Sequence, residues 1–219
     1  MVRGKIYFDG SCLPKNPGGI ACFGVVAVDG NNVRIKEKWG IVSEHGTNNI
    51  AEWKGLIESL KLARELGWKD VKILGDSQLV VNQFNGLWQI KKNHLRKFFE
   101  EAHQEILRVG KVEVSWIPRA KNLADPVCHK AFVEHVENRA RKRAMEEIEK
   151  YSVQQVNNSC FKVVKQDNKR TNTYKLTLSP SFSCTCPFFV RYNSYPLLKR
   201  SKLKVRCKHF FVVENFLKK

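Results

Sequence analysis

The sequence lacks any long hydrophobic run. Its most apolar stretch, residues 20–28, is interrupted by Gly24 and ends before Asp29, far short of the roughly 20 apolar residues that span a bilayer. Only three apolar residues in a row precede Asp9, too few for the apolar segment of a secretory signal peptide. We therefore expect a cytoplasmic protein that does not enter a membrane.

Acidic side chains are scarce in the last third of the chain. Residues 151–219 carry 14 Lys and Arg against only Asp167 and Glu214, a net charge of +12, whereas residues 1–150 carry a net charge of +6. All five tryptophans lie in the first part and four of the seven cysteines in the second. The change in composition predicts a domain boundary near residue 150, and so cationic a second part is expected to bind polyanions such as nucleic acid.

The first part has the hydrophobic pattern of an α/β domain. Strands are predicted over residues 5–9, 22–28, 33–42, 71–74 and 112–117, and helices from residue 49 to Gly67 and over residues 78–84, 94–109 and 126–150. This order predicts a mixed five-stranded sheet flanked by helices. The last helix is longer than a typical domain helix, so we expect it both to close the first domain and to act as a spacer.

Four acidic residues lie at the ends of predicted elements: Asp9, Glu52, Asp76 and Asp125. A single acid at such a position is ordinarily a turn former or a helix cap. Together, four carboxylates on rigid element ends can hold two Mg²⁺ ions, which prefer oxygen ligands. Two such ions roughly 4 Å apart activate water and stabilise the leaving oxygen in phosphodiester hydrolysis.

Short motifs surround these acids: Asp9-Gly10-Ser11, Asn16-Pro17-Gly18-Gly19, Thr47-Asn48-Asn49-Ile50-Ala51-Glu52, Asp76-Ser77-Gln78 and Asn122-Leu123-Ala124-Asp125. In order and spacing they resemble the motifs of type 1 ribonuclease H, over about residues 1–135. The resemblance implies a ribonuclease H fold and an endonuclease that hydrolyses the RNA strand of RNA/DNA hybrids, leaving 5′-phosphate ends. It also implies two Mg²⁺ or Mn²⁺ ions per active site, bound by the four acids.

The same resemblance implies a set of hybrid-binding residues. They are Asn16, Asn48, Asn49 and Gln78, and we expect Ser11 and Arg119 to contact the substrate as well. Amide side chains suit this role because they can both donate to and accept from a 2′-hydroxyl. The alternative for Asn48 and Asn49 is a helix cap, which is compatible with substrate contact.

Three features depart from the family pattern. Pro126 follows Asp125, and because Pro suits the first helical position, a simple N-cap role for Asp125 is the alternative to metal binding. The loop over residues 117–124 has no histidine, where many members carry one, so Arg119 or Lys121 is the candidate substitute. The long basic insertion of some members is also missing, and the basic run over residues 91–97 either grips hybrid or is a solvated helix start.

The second part contains Cys184-Thr185-Cys186 and, twenty residues later, Cys207-Lys208-His209. Three thiolates and one imidazole complete the tetrahedral shell of a structural Zn²⁺. With a hairpin predicted over residues 161–178 and a helix over residues 207–217, the pattern resembles a SWIM zinc finger. That resemblance implies one structural zinc and a module that binds nucleic acid or protein. An odd number of cysteines without an export signal also favours reduced thiols or metal ligands over disulfides.

Basic residues cluster between the two ligand pairs: Arg191, Lys199, Arg200, Lys202, Lys204 and Arg206. They are interleaved with Phe189, Tyr192 and Tyr195, and cations combined with aromatic rings are typical of nucleic-acid contact. The alternative is that the rings belong to a core beneath a solvated loop.

These patterns predict a nuclease of α/β class with an added zinc-stabilised hairpin and helix domain. We expect a ribonuclease H domain over residues 1–135, a helical linker over residues 136–152 and a zinc finger over residues 153–219, in a monomer. Two alternatives remain open at this point. One is a recombination or repair accessory factor that only binds nucleic acid, and the other is a related nuclease for double-stranded RNA or DNA junctions.

Overall fold

The computed structural model describes residues 4–167 and 170–218. The chain forms two compact units, Met1–Phe132 and Val133–Lys219. Across the described ranges, none of the helices combines the length and apolar character that crossing a bilayer would require.

The first unit contains a five-stranded sheet and helices. Its strands are β1 Gly4–Leu13, β2 Gly19–Asp29, β3 Arg34–Gly46, β4 Asp70–Gly75 and β5 Lys111–Trp116, and its helices are α1 Asn48–Glu65, α2 Gln78–Phe84, α3 Asn93–Val109 and the first part of α4 Asp125–Glu146. The strand order is β3-β2-β1-β4-β5. The β3-β2-β1 pairs are antiparallel, and β4 is parallel to both β1 and β5, which confirms the predicted mixed five-stranded sheet.

The main core lies between this sheet and helix α1. Trp53, Leu56 and Leu60, at helical spacing on α1, are fully buried against Ile6 and Phe8 of β1. Thr47 caps α1 by accepting a hydrogen bond from the Ile50 nitrogen at 3.4 Å, and Gly67 follows the helix in a left-handed conformation that favours glycine. The period of the apolar residues therefore decides which face of α1 covers β1.

The second unit is built on a four-stranded antiparallel sheet. Its strands are β6 Tyr151–Asn157, β7 Cys160–Asp167, β8 Arg170–Thr177 and β9 Ser183–Cys184, and its helices are α5 Pro187–Asn193, α6 Pro196–Arg200 and α7 Lys208–Phe216. Phe161, Leu176 and Phe211 are buried in its core together with Ala140 and Ala144 of α4. The segment proposed as a linker thus also contributes side chains to this core.

The structure differs from the sequence prediction both in the strands of the second unit and in the end of helix α4. The predicted hairpin is the β7–β8 pair, to which β6 and the two-residue β9 add strands on either side. Helix α4 ends at Glu146 and a short 3-10 turn covers Ile148–Lys150, where the sequence predicts helix up to residue 150. The polar sequence of β6 hides its strand character, because most of its side chains are exposed and no alternating apolar pattern results.

Candidate active site and metal centre

Strand β1 carries Asp9 into the centre of the first unit. Asp9 is 1 % exposed, and Phe8 next to it pairs with Gly75 at the end of β4. Asp76 follows directly after that pair, so the parallel pairing of β1 and β4 places the two carboxylates side by side. The sequence analysis places both residues at strand ends. β1 in fact continues to Leu13, so Asp9 lies inside its strand, and only Asp76 follows the end of one.

Two glycines allow helices to approach Asp9 closely. A Cβ atom on Gly10 would collide with the backbone of Ala51 and Glu52 at the start of α1. Gly24, the β2 partner of Asp9, would collide in the same way with the Cys128 nitrogen in α4. Without side chains at these two positions, the first turns of both helices reach the site.

Glu52 enters the site from the start of the second turn of α1, which begins at Asn48. Its Oε2 accepts a hydrogen bond from the Gly10 nitrogen at 3.1 Å, and its Oε1 accepts one from Asn48 Nδ2 at 3.4 Å. Asn48 is held in turn, because its backbone nitrogen donates to Asn16 Oδ1 at 3.0 Å. The structure therefore brings two of the predicted substrate-binding amides to the edge of the carboxylate cluster.

Asp125 is the first residue of α4 and is 8 % exposed. Arg119 donates to its Oδ1 from Nε at 2.7 Å and from Nη2 at 2.6 Å. Arg119 Nε also lies 3.9 Å from Asp76 Oδ2. Although desolvation opposes it, the negative charge of Asp9 and Asp125 raises the pKa of Arg119, so this residue is the cation of the cluster.

Asn122 is a site residue to which the sequence motif alone assigned no role. Its Nδ2 donates to the Phe8 carbonyl at 2.8 Å and to Asp76 Oδ1 at 2.9 Å. Its Oδ1 accepts from the Ala124 nitrogen at 3.1 Å. One buried amide thus joins the end of β1, the carboxylate after β4 and the loop before α4, and its presence in the quoted motif was the available signal.

The remaining predicted contact residues lie at different depths. Ser11 is buried at 4 % exposure, whereas Gln78 is exposed at the first residue of α2. Asn49 lines a groove with Gln83, Trp88 and Lys91. Trp88, with an exposed fraction of 48 %, is a binding candidate that the sequence analysis missed, although an exposed ring beside lysines is a recognisable signal.

The electrostatics of the cluster favour a bound cation. Burial, and then the charge of Asp76, raises the pKa of Asp9 well above its usual value, and burial together with Asp9 does the same for Glu52. Oδ2 of Asp9 is buried without a hydrogen-bond partner among the described residues. Since a buried unpaired carboxylate oxygen is costly, these residues fit a site that takes Mg²⁺ or Mn²⁺.

Two groups of ligand atoms share Asp9. One consists of Asp9, Glu52 and Asp76, and the other of Asp9, Asp125 and His129, and within each group the atoms lie within 4.8 Å of one another. Asp9 therefore stands at the junction of two candidate cation positions.

The second unit contains a separate cluster of Cys184, Cys186, Cys207 and His209, all buried. Cys184 Sγ lies 3.7 Å from His209 Nδ1, and ligands of a tetrahedral Zn²⁺ are about 3.5–3.8 Å apart for bonds of about 2.0 and 2.3 Å. The hydrogen bond between Cys184 and Cys186 lowers the pKa of Cys186. The same hydrogen bond raises the pKa of Cys184 to about 12. The cluster fits zinc by donor set and spacing.

The predicted basic cluster of the second unit divides into two groups. Arg191, Lys199, Arg200, Lys202 and Lys204 are exposed. Arg206 instead binds Glu137, with Nε and Nη2 donating to Oε2 at 2.9 and 2.6 Å, while its backbone nitrogen donates to Oε1 at 2.8 Å. Arg206 therefore anchors the chain next to Cys207 against α4.

The outer face of the second sheet carries further cations. Lys162 and Lys175 lie directly opposite each other on β7 and β8, and both are exposed. Like charges in such a cross-strand pair repel each other, so an anion between them would be stabilising. Gln154 on β6 continues the row as the partner of Lys162.

The first unit is similar to known proteins. The reverse transcriptase-like family matches residues 7–131. Ribonuclease HI of Halobacterium salinarum is 36% identical over 137 residues, which are 59% of this chain and 64% of that protein. The bifunctional protein Rv2228c of Mycobacterium tuberculosis is 36% identical over 108 residues, which are 49% of this chain and 29% of that protein. The chain thus spans less than two thirds of the length of these curated relatives.

Solved structures agree with this placement. The N-terminal RNase H domain of Rv2228c from Mycobacterium tuberculosis superposes with a TM-score of 0.58 at 32% identity, covering 64% of this chain and 100% of that one. LC11-RNase H1, solved in complex with an RNA/DNA hybrid, superposes with a TM-score of 0.56 at 30% identity, covering 61% and 99%. Because the family match extends over more than half of its length, the chain belongs to the reverse transcriptase-like family and carries an RNase H-like domain.

Proposed function

We propose that the protein is a ribonuclease H, an endonuclease that hydrolyses the RNA strand of RNA/DNA hybrids with two Mg²⁺ or Mn²⁺ ions. The observation that carries this proposal is the clustering of Glu52, Asp76 and Asp125 around the buried Asp9, in two ligand groups that share it. Similarity to proteins whose names or titles describe ribonuclease HI and a hybrid complex supports the same reaction.

The four acids would hold the cations in two positions that share Asp9. Two such ions supply an activated water and a stabilised leaving oxygen to the phosphodiester. Water attacks phosphorus, the bond from phosphorus to the 3′-oxygen breaks, and the products are a 5′-phosphate and a 3′-hydroxyl. Arg119, half exposed beside Asp125, is the candidate substitute for the loop histidine that assists water activation or product release in many family members.

Hybrid recognition is proposed for the polar side chains around the acids. Asn16 and Asn48 are already hydrogen-bonded to each other, and their amides can donate to and accept from the 2′-hydroxyls of the RNA strand. The groove from Asn49 to Trp88 and Lys91 offers a ring and a cation to the other strand. Ser11 and Gln78 complete the proposed contact set.

For the second unit, we propose one structural Zn²⁺ bound by Cys184, Cys186, Cys207 and His209 in a SWIM-type zinc finger. The domain division proposed with it is residues 1–135 for the nuclease, 136–152 for the helical linker and 153–219 for the finger. None of the seven cysteines forms a disulfide in the described part of the chain, which suits a reducing compartment such as the cytoplasm.

The zinc module is proposed to bind nucleic acid. The exposed cations at residues 191, 199, 200, 202 and 204 and the lysine pair on the sheet can neutralise phosphates. Cys184→Ser should therefore lower both zinc content and hybrid affinity. Unchanged hybrid affinity over several salt concentrations would assign the module to a protein partner instead.

One assay tests the catalytic proposal. The protein is incubated with a matched RNA/DNA hybrid, duplex RNA and duplex DNA, in Mg²⁺, Mn²⁺ or EDTA. We expect cleavage of the hybrid alone, loss of cleavage in EDTA, and no turnover for Asp9→Asn or Asp76→Asn, whereas the control Asp70→Asn remains active. Cleavage of duplex RNA or a DNA junction at comparable rates would favour the related nuclease, and binding without cleavage would favour an accessory factor.

A further inference from the structure

His129 lies one helical turn after Asp125 on α4 and has no exposed surface. Its Nδ1 atom is 3.8 Å from Asp125 Oδ2, and it forms a ligand group with Asp9 and Asp125 in which all the atoms lie within 4.8 Å. An imidazole at this place differs from the four acids because it offers nitrogen instead of oxygen.

The distance between His129 and Asp125 is informative. At 3.8 Å, Nδ1 and Oδ2 are too far apart for a hydrogen bond. Two ligand atoms bound to one cation at about 2.0–2.2 Å are about 3 Å apart at right angles and about 4.2 Å apart on opposite sides. The observed 3.8 Å equals neither value but lies between them, so both side chains can bind one ion after a shift of less than about 1 Å.

The other members of this group are also arranged for a cation. Arg119 binds Oδ1 of Asp125, so the oxygen that faces His129 is Oδ2. Oδ2 of Asp9 is buried and has no hydrogen-bond partner in the described part of the chain. Close contact between Gly24 and the backbone of Cys128 brings the start of α4 next to Asp9, and His129 directly follows Cys128.

We propose that His129 is a ligand of the cation that Asp9 and Asp125 hold, and that it makes this position selective for Mn²⁺ over Mg²⁺. The inference rests on the proposed function, because it uses the same two acids. Mg²⁺ takes oxygen ligands almost exclusively, whereas first-row transition ions accept imidazole. The position formed by Asp9, Glu52 and Asp76 has only oxygen ligands and suits either ion, so the two positions differ in selectivity.

Pulsed electron paramagnetic resonance of bound Mn²⁺ tests this ligand directly. The full chain, with zinc already bound, is loaded with Mn²⁺ without nucleic acid, and the spin-echo modulation from a directly bound imidazole nitrogen is recorded. We expect this nitrogen signal in the wild type, its loss in His129→Gln, and its retention in His94→Gln, a control at an exposed histidine. Labelling histidine with ¹⁵N should change the modulation frequency.

Affinity gives a second readout. In His129→Gln, Mn²⁺ binding at one of the two positions should weaken by about tenfold or more, whereas Mg²⁺ binding should change by less than about threefold. If His129→Gln fails to fold, the test still holds, because absence of nitrogen modulation in the wild type would by itself refute the ligand.

Two results would overturn the inference. Bound Mn²⁺ without nitrogen modulation in the wild type, or modulation that persists in His129→Gln, would show that His129 is not a ligand. If hybrid is still cleaved in that case, only the assignment of His129 fails. If no Mn²⁺ binds and no hybrid is cleaved, the proposed function fails with it.

Discussion

The Asn122 side chain donates a 2.9 Å hydrogen bond to the carboxylate of Asp76. The same nitrogen donates to the Phe8 carbonyl, so the position of Asp76 is tied to the strand that carries Asp9. Asn122 is a positioning residue for the metal site.

Asn122→Ala should therefore impair the site without unfolding the first unit. We expect hybrid cleavage to fall by about tenfold to a hundredfold, with Mn²⁺ affinity weakened in parallel, as is common for residues that orient metal ligands. Calorimetric Mn²⁺ titration and steady-state kinetics would check this, with Asn85→Ala as control because its amide bonds the Val114 carbonyl away from the site. Normal Mn²⁺ affinity in Asn122→Ala would contradict the positioning role.

Asp9→Asn should stabilise the metal-free protein. Burial and neighbouring acids raise the pKa of Asp9, which means that its ionised form opposes folding, and that the metal-free protein loses stability as pH rises above the ordinary carboxylate range. At pH 7 without added divalent cations, the melting temperature of the first unit, followed by tryptophan fluorescence, should be higher for Asp9→Asn than for the wild type, and added Mn²⁺ should no longer raise it. Asp70→Asn, at an exposed 3.8 Å ion pair with Lys111, should change little in either condition.

Glu58 should make the first unit sensitive to acid. Burial would raise its pKa, but hydrogen bonds from Lys38 and Lys54, at 2.7 and 2.9 Å, outweigh burial and lower the pKa to about 2. The stabilisation is complete above the ordinary glutamate pKa and is lost as pH falls from about 4.5 towards 2.

Glu58→Gln tests this linkage. We expect a loss on the order of 2 kcal/mol in the free energy of unfolding at pH 7, and a smaller loss at pH 3. Tryptophan fluorescence in urea reports the first unit, since all five tryptophans lie there. Glu113→Gln, at an exposed ion pair with Lys72, is the matched control and should cost less than about 0.5 kcal/mol; equal losses in the two variants would refute the role of Glu58.

Removal of zinc should unfold the second unit selectively. Its core includes Cys184, Cys186 and Cys207, so a strong chelator should abolish much of its β-sheet signal in circular dichroism. The tryptophan fluorescence of the first unit should stay native, and Cys160→Ser, outside the cluster, should respond to chelator as the wild type does. A second unit that keeps its sheet signal with no zinc bound would exclude a structural role.

Exposed and paired cations of the second unit should behave differently. Lys199→Ala combined with Lys202→Ala and Lys204→Ala should weaken hybrid binding and reduce the slope of log affinity against log salt by about 2–3. Glu137→Gln should instead lower the melting temperature of the second unit, because Arg206 loses the carboxylate that it binds at 2.6 Å. Filter binding at four salt concentrations measures the slope, and thermal denaturation measures the melting temperature. An unchanged slope in the triple variant would show that the three lysines are not part of the nucleic-acid interface.

Almost all strands and helices of the first unit could be predicted from the sequence. The period of the apolar residues located each strand and helix of the sheet domain, although β1 extends past the predicted residues 5–9 to Leu13 and so encloses Asp9. The four acids were identified by their motifs and by their place at the ends of predicted elements. Their separations could not be predicted, because these depend on the register of β1 with β4 and on backbone contacts at Gly10 and Gly24.

Less could be predicted where side chains do not alternate or where partners are distant in sequence. β6 was missed because its exposed polar residues give no period. His129 was missed because a buried histidine on a helix resembles a core residue until the fold places Asp9 beside it. The pairing of Arg206 with Glu137, 69 positions away, has no local signal at all.

Gly10 also limits which amino-acid substitutions the domain can tolerate. Any side chain there would collide with the start of α1, whereas Gly30 has no heavy atom within 4 Å of an added Cβ. In a library that samples every substitution, position 30 should accept most residues and position 10 almost none, even though Gly10 contributes no side chain to chemistry. Packing at Gly10 therefore fixes the distance between Asp9 and Glu52. Substitutions are tolerated more easily on the surface of the domain than at the centre of the carboxylate site.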